Sequence, residues 1–143
     1  MTYKTIDQIA IGDHAEQTVL IEASKIEVFG EITNDVNPVH FNEEYAQKTI
    51  FKHRIAHGMY IGSLFSKVFG MQLPGEGTIY ISQSLRFKRP VYIDDTITAK
   101  VIVTDKNEER NRVFFDCVAT NQHGEVVITG TAEMMPPNKE MDQ

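Results

Sequence analysis

The stretch GMYIGSLFSKVF, residues 58–69, decides the fold class. Its apolar side chains fall on most sides of a helix, a pattern typical of a helix that is enclosed by other structure. The apolar residues on which this depends are Met59, Leu64, Phe65, Val68 and Phe69. Two small residues, Gly62 and Ser63, would allow another backbone to approach closely. The stretch therefore predicts one buried helix.

After this helix, the apolar residues recur with a period of two, as they do in strands with one buried face. The alternating runs are residues 79–87, 96–103, 113–120 and 126–134. Polar segments at 107–111 and 121–124 separate the last three runs and predict antiparallel hairpins. Strands without helical crossovers exclude a parallel α/β sheet. The sequence predicts an α+β protein in which a curved antiparallel sheet surrounds the helix.

Before the helix, the chain predicts one strand and two short helices. Residues 15–21 alternate well enough for a strand. Ser24 and Glu27 have the S-x-x-E spacing of a capping box, and the helix that follows is expected to end near Thr33. Asn42 precedes two acidic residues, which predicts the N-cap of another helix.

The composition excludes several classes of protein. The 143 residues suffice for one domain, and 41% hydrophobic with 24% charged residues is typical of a globular chain. A net charge of -6 argues against binding to nucleic acid. The single Cys117 fits a reducing cytoplasm, and neither a membrane span nor a signal peptide is apparent. We expect one domain over residues 1–143, with a frayed tail at 136–143.

The densest polar cluster is Asp35-Val36-Asn37-Pro38-Val39-His40, which lies between two helix signals. Pro38 stiffens the predicted loop, because it restricts its own φ and the conformation of Asn37. A stiff loop can hold a carboxylate and an imidazole on one water molecule, as general acid–base catalysis requires. The alternative is an ordinary turn, since Asp, Asn and Pro are common turn residues.

The segment Arg54-Ile55-Ala56-His57-Gly58-Met59 leads into the buried helix. The backbone amide of Gly58 would be free at the helix start and could polarise a substrate carbonyl. The alternatives are a plain junction at Gly58, a His57 that is hydrogen-bonded within the core, and a Ser63 present only for packing.

These two segments, NDVNPVH at 34–40 and RIAHGM at 54–59, resemble the hydratase 2 motif of the MaoC-like dehydratase family. The resemblance continues through residues 64–66, 72–75, 79–80 and 83–87. It is closest to the short (R)-specific enoyl-CoA hydratases that supply polyhydroxyalkanoate synthesis. One residue departs from the family, because Asn34 stands where a glycine is usual. Asparagine tolerates the left-handed conformation better than other non-glycine residues, so the loop shape is expected to survive.

The resemblance implies the hot-dog fold, a homodimer, and reversible hydration of a 2-enoyl-CoA without a metal or redox cofactor. Coenzyme A thioester would be the substrate. Asp35 and His40 would activate water, Asn37 would help to order the loop, and the Gly58 amide would polarise the thioester carbonyl. Ser63 would lie near the catalytic pair.

Coenzyme A is polyanionic, so an acidic protein that binds it needs a local group of cations. Arg86, Lys88 and Arg89 are the first candidates, and residues 52–54 are the second. Solvated charges at a strand end are the alternative for each of them.

Two other functions stay open at this point. One is a non-catalytic hot-dog module that binds acyl-CoA, which would have no need for both Asp35 and His40. The other is a thioesterase or acyl-carrier-protein dehydratase of a neighbouring hot-dog family, which would lack the loop before the helix.

Overall fold

The computed structural model describes residues 2–138. Its elements after a 3-10 turn at Ile6–Gln8 are β1 (His14–Leu20), α1 (Ala23–Thr33), α2 (Pro38–Phe41), α3 (Glu43–Gln47), α4 (Gly58–Met71), β2 (Ile79–Gln83), β3 (Arg86–Phe87), β4 (Thr96–Asn107), β5 (Arg112–Thr120) and β6 (Val126–Met135). After β1, the helices precede all the other strands, and the strands pair antiparallel without helical crossovers between β2 and β6, which confirms the predicted α+β class.

The strands form one antiparallel sheet in the order β1-β4-β5-β6-β2, and β3 also pairs with β6. The three last predicted strands are neighbours joined by hairpins, as expected. Successive residues of a strand face opposite sides, so every second side chain of these strands points inward. These inward side chains are buried. Those of β4 and β5 are Ile97, Ala99, Val101, Val103, Val113, Phe115, Cys117 and Ala119.

Helix α4 lies on the apolar face of this sheet. Phe65 is fully buried, and the ring of Phe69 meets Phe115 of β5 edge-on, with ring centroids 4.8 Å apart. Gln17 interrupts the apolar face of β1, and its side-chain amide donates to the Leu64 carbonyl at 2.7 Å. This polar residue therefore joins the edge strand to the helix.

One side of α4 is more open than predicted. Met59 is 59% exposed and Met71 is 54% exposed, and Ser63 is exposed on the same side. Residues separated by four positions share a face of a helix, so these side chains form one exposed strip. The helix is buried only on the side that meets the sheet, which corrects the prediction that Met59 lies in the core.

Two predictions about helix starts have opposite outcomes. Helix α1 begins at Ala23 after Glu22, without a side-chain cap, so the capping box predicted at Ser24 is wrong. Its predicted end at Thr33 is confirmed. Helix α3 is capped as predicted, because Asn42 Oδ1 accepts from the Tyr45 amide at 3.0 Å.

The run predicted as one strand over residues 79–87 is two strands, β2 and β3. A register irregularity lies within β2, and Ile79, Ile81 and Phe87 are 54%, 41% and 51% exposed. The physical reason is position, because β2 lies at the edge of the sheet and, among the strands of residues 2–138, has a neighbour on one side only. Alternation did not indicate burial in this run.

The C-terminal segment is held further along than expected. Pro136 and Pro137 are buried, and the Asn111 side chain donates to the Pro136 carbonyl at 2.9 Å. Fraying therefore does not begin at Pro136, and the rest of the predicted tail, residues 139–143, lies outside the described residues. Between residues 2 and 138, no helix is long and apolar enough to cross a membrane.

Candidate active site

Asp35 lies in a tight turn between α1 and α2. Asn34 ends α1 in the left-handed conformation, with φ 62° and ψ 17°, which confirms that asparagine can take this position. The Asn37 amide donates to Asp35 Oδ1 at 3.3 Å, and Asn37 Oδ1 accepts from the Val39 amide at 3.2 Å. These local bonds hold an exposed carboxylate in a defined turn.

His40 lies on α2 and is 8% exposed. Its Nδ1 donates to the Ile55 carbonyl at 2.7 Å. Because a carbonyl only accepts, the neutral ring carries its proton on Nδ1 and leaves Nε2 as an acceptor. Burial lowers the pKa of His40; His57 also lowers it, while the Ile55 carbonyl and Asp35 oppose the change. The surroundings therefore favour a neutral imidazole whose Nε2 can take a proton.

Three side chains meet where the turn, α2 and the start of α4 come together. Asp35, His40 and His57 each present a potential ligand atom, and these atoms lie within 4.8 Å of one another. The rings of His40 and His57 stack with centroids 4.0 Å apart and an interplanar angle of 30°. The two residues predicted as a catalytic pair are thus adjacent in space.

The spacing of these three groups would also suit a metal ion, but the orientation of the rings does not. An imidazole binds a metal in its own plane, and stacked rings direct their lone pairs along nearly parallel planes. His40 Nδ1 and His57 Nε2 are also hydrogen-bonded to backbone carbonyls. A reaction without a metal stays a prediction.

A cavity of about 380 Å³ adjoins this cluster. It is lined by His40, Phe51, Ile55, Ala56, Gly58, Ile61, Phe87, Lys88, Arg89, Pro90, Val91 and Ile128. Most of these side chains are apolar, while an imidazole and two cations supply the polar groups. Such a lining suits a ligand with an apolar part and an anionic part.

Gly58 is the first residue of α4 and follows His57 at the N-cap. The first amides of a helix have no acceptor within it, so the Gly58 N–H can bind an oxygen in the cavity. A Cβ at this position would lie 2.8 Å from Cε1 of Phe87. Glycine is needed here because a larger residue would displace that ring.

A family model described as "MaoC like domain" matches residues 8–125. The chain belongs to the MaoC-like domain family. An (R)-specific enoyl-CoA hydratase of Rhodospirillum rubrum is 47% identical over 131 residues, which are 92% of this chain and 90% of that protein. A 3-hydroxybutyryl-CoA dehydratase of Methylorubrum extorquens is 44% identical over 120 residues, which are 84% and 76% of the two proteins.

Among solved structures, the unliganded R-hydratase PhaJ1 of Pseudomonas aeruginosa superposes with a TM-score of 0.90 at 40% sequence identity. The match covers 94% of this chain and 86% of that one. The MaoC-like chain thus has the predicted hot-dog fold, in which the curled antiparallel sheet holds α4 against its apolar face.

The predicted coenzyme A cations of this MaoC-like domain do not all lie together. Lys88 and Arg89 line the cavity, and Arg89 pairs with Glu125 at 3.2 Å. Arg86 lies on β3, is exposed, and does not line the cavity. The three cations are close in sequence, but only two of them reach the candidate site.

The second group of predicted cations makes local contacts. Arg54 Nε donates to the His40 backbone carbonyl at 2.7 Å, and His53 Nδ1 lies 3.2 Å from a carboxylate oxygen of Glu43. Arg54 therefore supports the backbone that carries His40.

The hydrogen bond that the structure gives to the Ser63 side chain is made within α4. The Ser63 hydroxyl donates to the Tyr60 carbonyl at 2.5 Å, and no hydrogen bond between residues 2 and 138 joins it to Asp35 or His40. Its predicted place near the pair stays a prediction.

Sequence reasoning favoured a core histidine at position 57. His57 is indeed 2% exposed, and its Nε2 lies 2.9 Å from the Asp35 carbonyl oxygen. That partner places it inside the candidate site. The sequence gives one indication of this contact, because His57 directly precedes Gly58 in the motif.

Proposed function

We propose that this MaoC-like protein is an (R)-specific enoyl-CoA hydratase, a hydro-lyase that reversibly adds water to a trans-2-enoyl-CoA to give the (R)-3-hydroxyacyl-CoA. The observation that carries this proposal is that Asp35 lies beside His40, while His40 and Gly58 line one largely apolar cavity. The names of the bacterial relatives, one an (R)-specific enoyl-CoA hydratase, support it.

Each part of the site has a task in this reaction. The water oxygen bonds to C3, one of its protons passes to the Asp35 and His40 pair, and the pair returns a proton to C2. Negative charge that develops on the thioester oxygen is stabilised by the Gly58 amide at the start of α4. Addition of water transfers no electrons, so the proposed reaction needs no redox cofactor. We propose that it needs no metal either, because the Gly58 amide polarises the thioester carbonyl.

The function is tested with crotonyl-CoA and the purified protein. Loss of the enoyl absorbance and formation of (R)-3-hydroxybutyryl-CoA, identified by chiral analysis, are expected. Binding without turnover would indicate a non-catalytic acyl-CoA module, and release of free coenzyme A would indicate a thioesterase. Strong preference for the crotonyl-acyl-carrier protein would indicate a dehydratase of that class.

We propose that Lys88 and Arg89 bind the anionic part of coenzyme A, because both line the cavity. Lys88→Ala should raise KM for crotonyl-CoA about 5-fold and leave kcat unchanged, since an exposed ion pair contributes about 1 kcal/mol at most. Arg86→Ala is the matched control and should change KM less than about 2-fold. Equal increases in KM in the two variants would indicate that Arg86 also binds coenzyme A.

We also propose a homodimer joined through β2. This strand is at the edge of the sheet, and Ile79, Tyr80 and Ile81 are 54%, 40% and 41% exposed. A second copy of β2 would satisfy the unpaired strand edge and cover these side chains. Sedimentation of the wild type should give twice the mass of one chain. The Ile81→Lys variant should give the mass of the monomer. A monomeric wild-type protein would contradict the proposal.

For the location we propose the cytoplasm. Cys117, the sole cysteine of the chain, is a free and buried thiol, in keeping with a reducing compartment.

A further inference from the structure

His57 connects the two halves of the proposed active site. It is the N-cap residue of α4 and is bonded covalently to Gly58, the proposed oxyanion donor. Its Nε2 donates to the backbone carbonyl of Asp35 at 2.9 Å, across 22 residues of sequence. One residue thus connects the carboxylate-bearing turn to the start of the helix.

Aromatic rings from the surrounding elements orient the imidazole of His57. Phe29 of α1 lies 4.9 Å away between ring centroids, and Phe41 approaches edge-on at 5.6 Å. His40 stacks on it at 4.0 Å. A ring enclosed in this way cannot rotate without displacing its neighbours, so Nε2 keeps its direction towards Asp35.

The other nitrogen of His57 indicates that packing alone does not account for this residue. Nδ1 is buried and has no hydrogen-bond partner among residues 2–138. An unpaired buried acceptor costs about 1–3 kcal/mol, a cost that an apolar side chain would avoid. The hydrogen bond from Nε2 to Asp35 is the contact that only a nitrogen-bearing side chain can supply.

We propose, on the basis of the hydration proposed above, that His57 is a positioning residue that sets the Asp35 turn at the correct distance from the Gly58 amide. Water can add at C3 only while the thioester oxygen is bound, so the two groups must keep a fixed separation. A misplacement of about 1 Å can cost about 100-fold in rate. His57 acts by holding the Asp35 turn through its backbone carbonyl, and its contact with His40 is the ring stacking.

Two substitutions separate positioning from packing. His57→Gln keeps an N–H donor near the Nε2 position, whereas His57→Leu keeps apolar volume and removes the donor. We expect His57→Leu to lower kcat with crotonyl-CoA at least about 10-fold and to change KM less than about 3-fold. His57→Gln should retain kcat within about 3-fold of the wild type. Both variants lose the ring stacking, so the thermal midpoints of both should fall.

Amide hydrogen exchange of residues 34–40 provides a readout that needs no turnover. Loss of one hydrogen bond, about 1 kcal/mol, should make exchange about 5-fold faster in His57→Leu, while His57→Gln should stay close to the wild type. Equal kcat values in the two variants, or unchanged exchange in His57→Leu, would overturn the proposal. A wild-type protein without hydratase activity would overturn the proposed function instead, and the exchange rates would still decide the role of His57.

Discussion

The hairpins β4–β6 and the turn between α1 and α2 are stabilised by different forces. In the hairpins, side chains such as Ile97 and Val101 are fully buried, and the hydrophobic effect dominates. In the turn, Asp35 and Asn37 are exposed, and directional hydrogen bonds hold the chain. The first region tolerates changes that conserve volume, and the second depends on single atoms. Substitutions should therefore separate stability from activity.

The largest effect is expected at the proposed catalytic pair. Asp35→Asn and His40→Gln should each lower the hydration rate at least ~100-fold, the usual contribution of an acid–base group. Since Asp35 is exposed, Asp35→Asn should melt within a few degrees of the wild type. Rates with crotonyl-CoA and thermal midpoints check both statements. Near-normal turnover in either variant would remove that residue from the mechanism.

A substitution in the hairpins should lower stability and leave turnover unchanged. Ile97 is 0% exposed, and Ile97→Ala should lower the free energy of unfolding by about 2–5 kcal/mol because it leaves a cavity. The rate per folded molecule should not change. Ile97→Val is the graded control, at about 0.5–1.5 kcal/mol. Urea unfolding and turnover measure the two properties, and a fall in kcat of the folded Ile97→Ala protein would break the distinction.

Gly58 lines the cavity with His40 and lies close to the ring of Phe87. A substitution there should therefore have an intermediate effect on turnover. Gly58→Ala keeps the amide but places a Cβ 2.8 Å from Cε1 of Phe87, and kcat should fall about 10-fold. Adding Phe87→Leu should restore much of the loss. Gly70→Ala is the matched control on the same helix, because a Cβ there meets no atom of the described residues within 4 Å. Equal kinetic effects of the two alanines would argue against the oxyanion role.

The smallest effect concerns pH. Burial lowers the pKa of His40 from its ordinary 6.5, so the unfolded chain binds a proton more readily than the folded one. The contribution of His40 to stability is complete above pH 6.5 and is lost as the pH falls through the lower folded value. Thermal midpoints from pH 8 to pH 5 should fall more steeply in the wild type than in His40→Gln. Parallel curves would show that His40 is not responsible.

The acid limb of kcat/KM should lie below pH 6.5 for the same reason, since turnover needs the neutral imidazole.

How well the sequence predicted each region depends on how local its determinants are. Period-two alternation placed the inward residues of β4 and β5 correctly. A strand with one buried face needs an apolar side chain at every second position, and this pattern is visible in neighbouring residues. Alternation was misleading for Ile79 and Ile81, whose exposure depends on the place of β2 at the sheet edge. The capping box at Ser24 was wrong because the N-cap is Glu22, two residues earlier.

The amino-acid sequence by itself determined the α+β class, the hairpins and the segment that carries Asp35 and His40. Periodicity and turn chemistry are properties of adjacent residues, so they can be read without a structure. Only the tertiary structure decided that Lys88 lines the cavity while Arg86 does not, and that His57 bonds to Asp35. A sequence pattern indicates that a side chain is buried, but the group it contacts depends on elements far away in the chain.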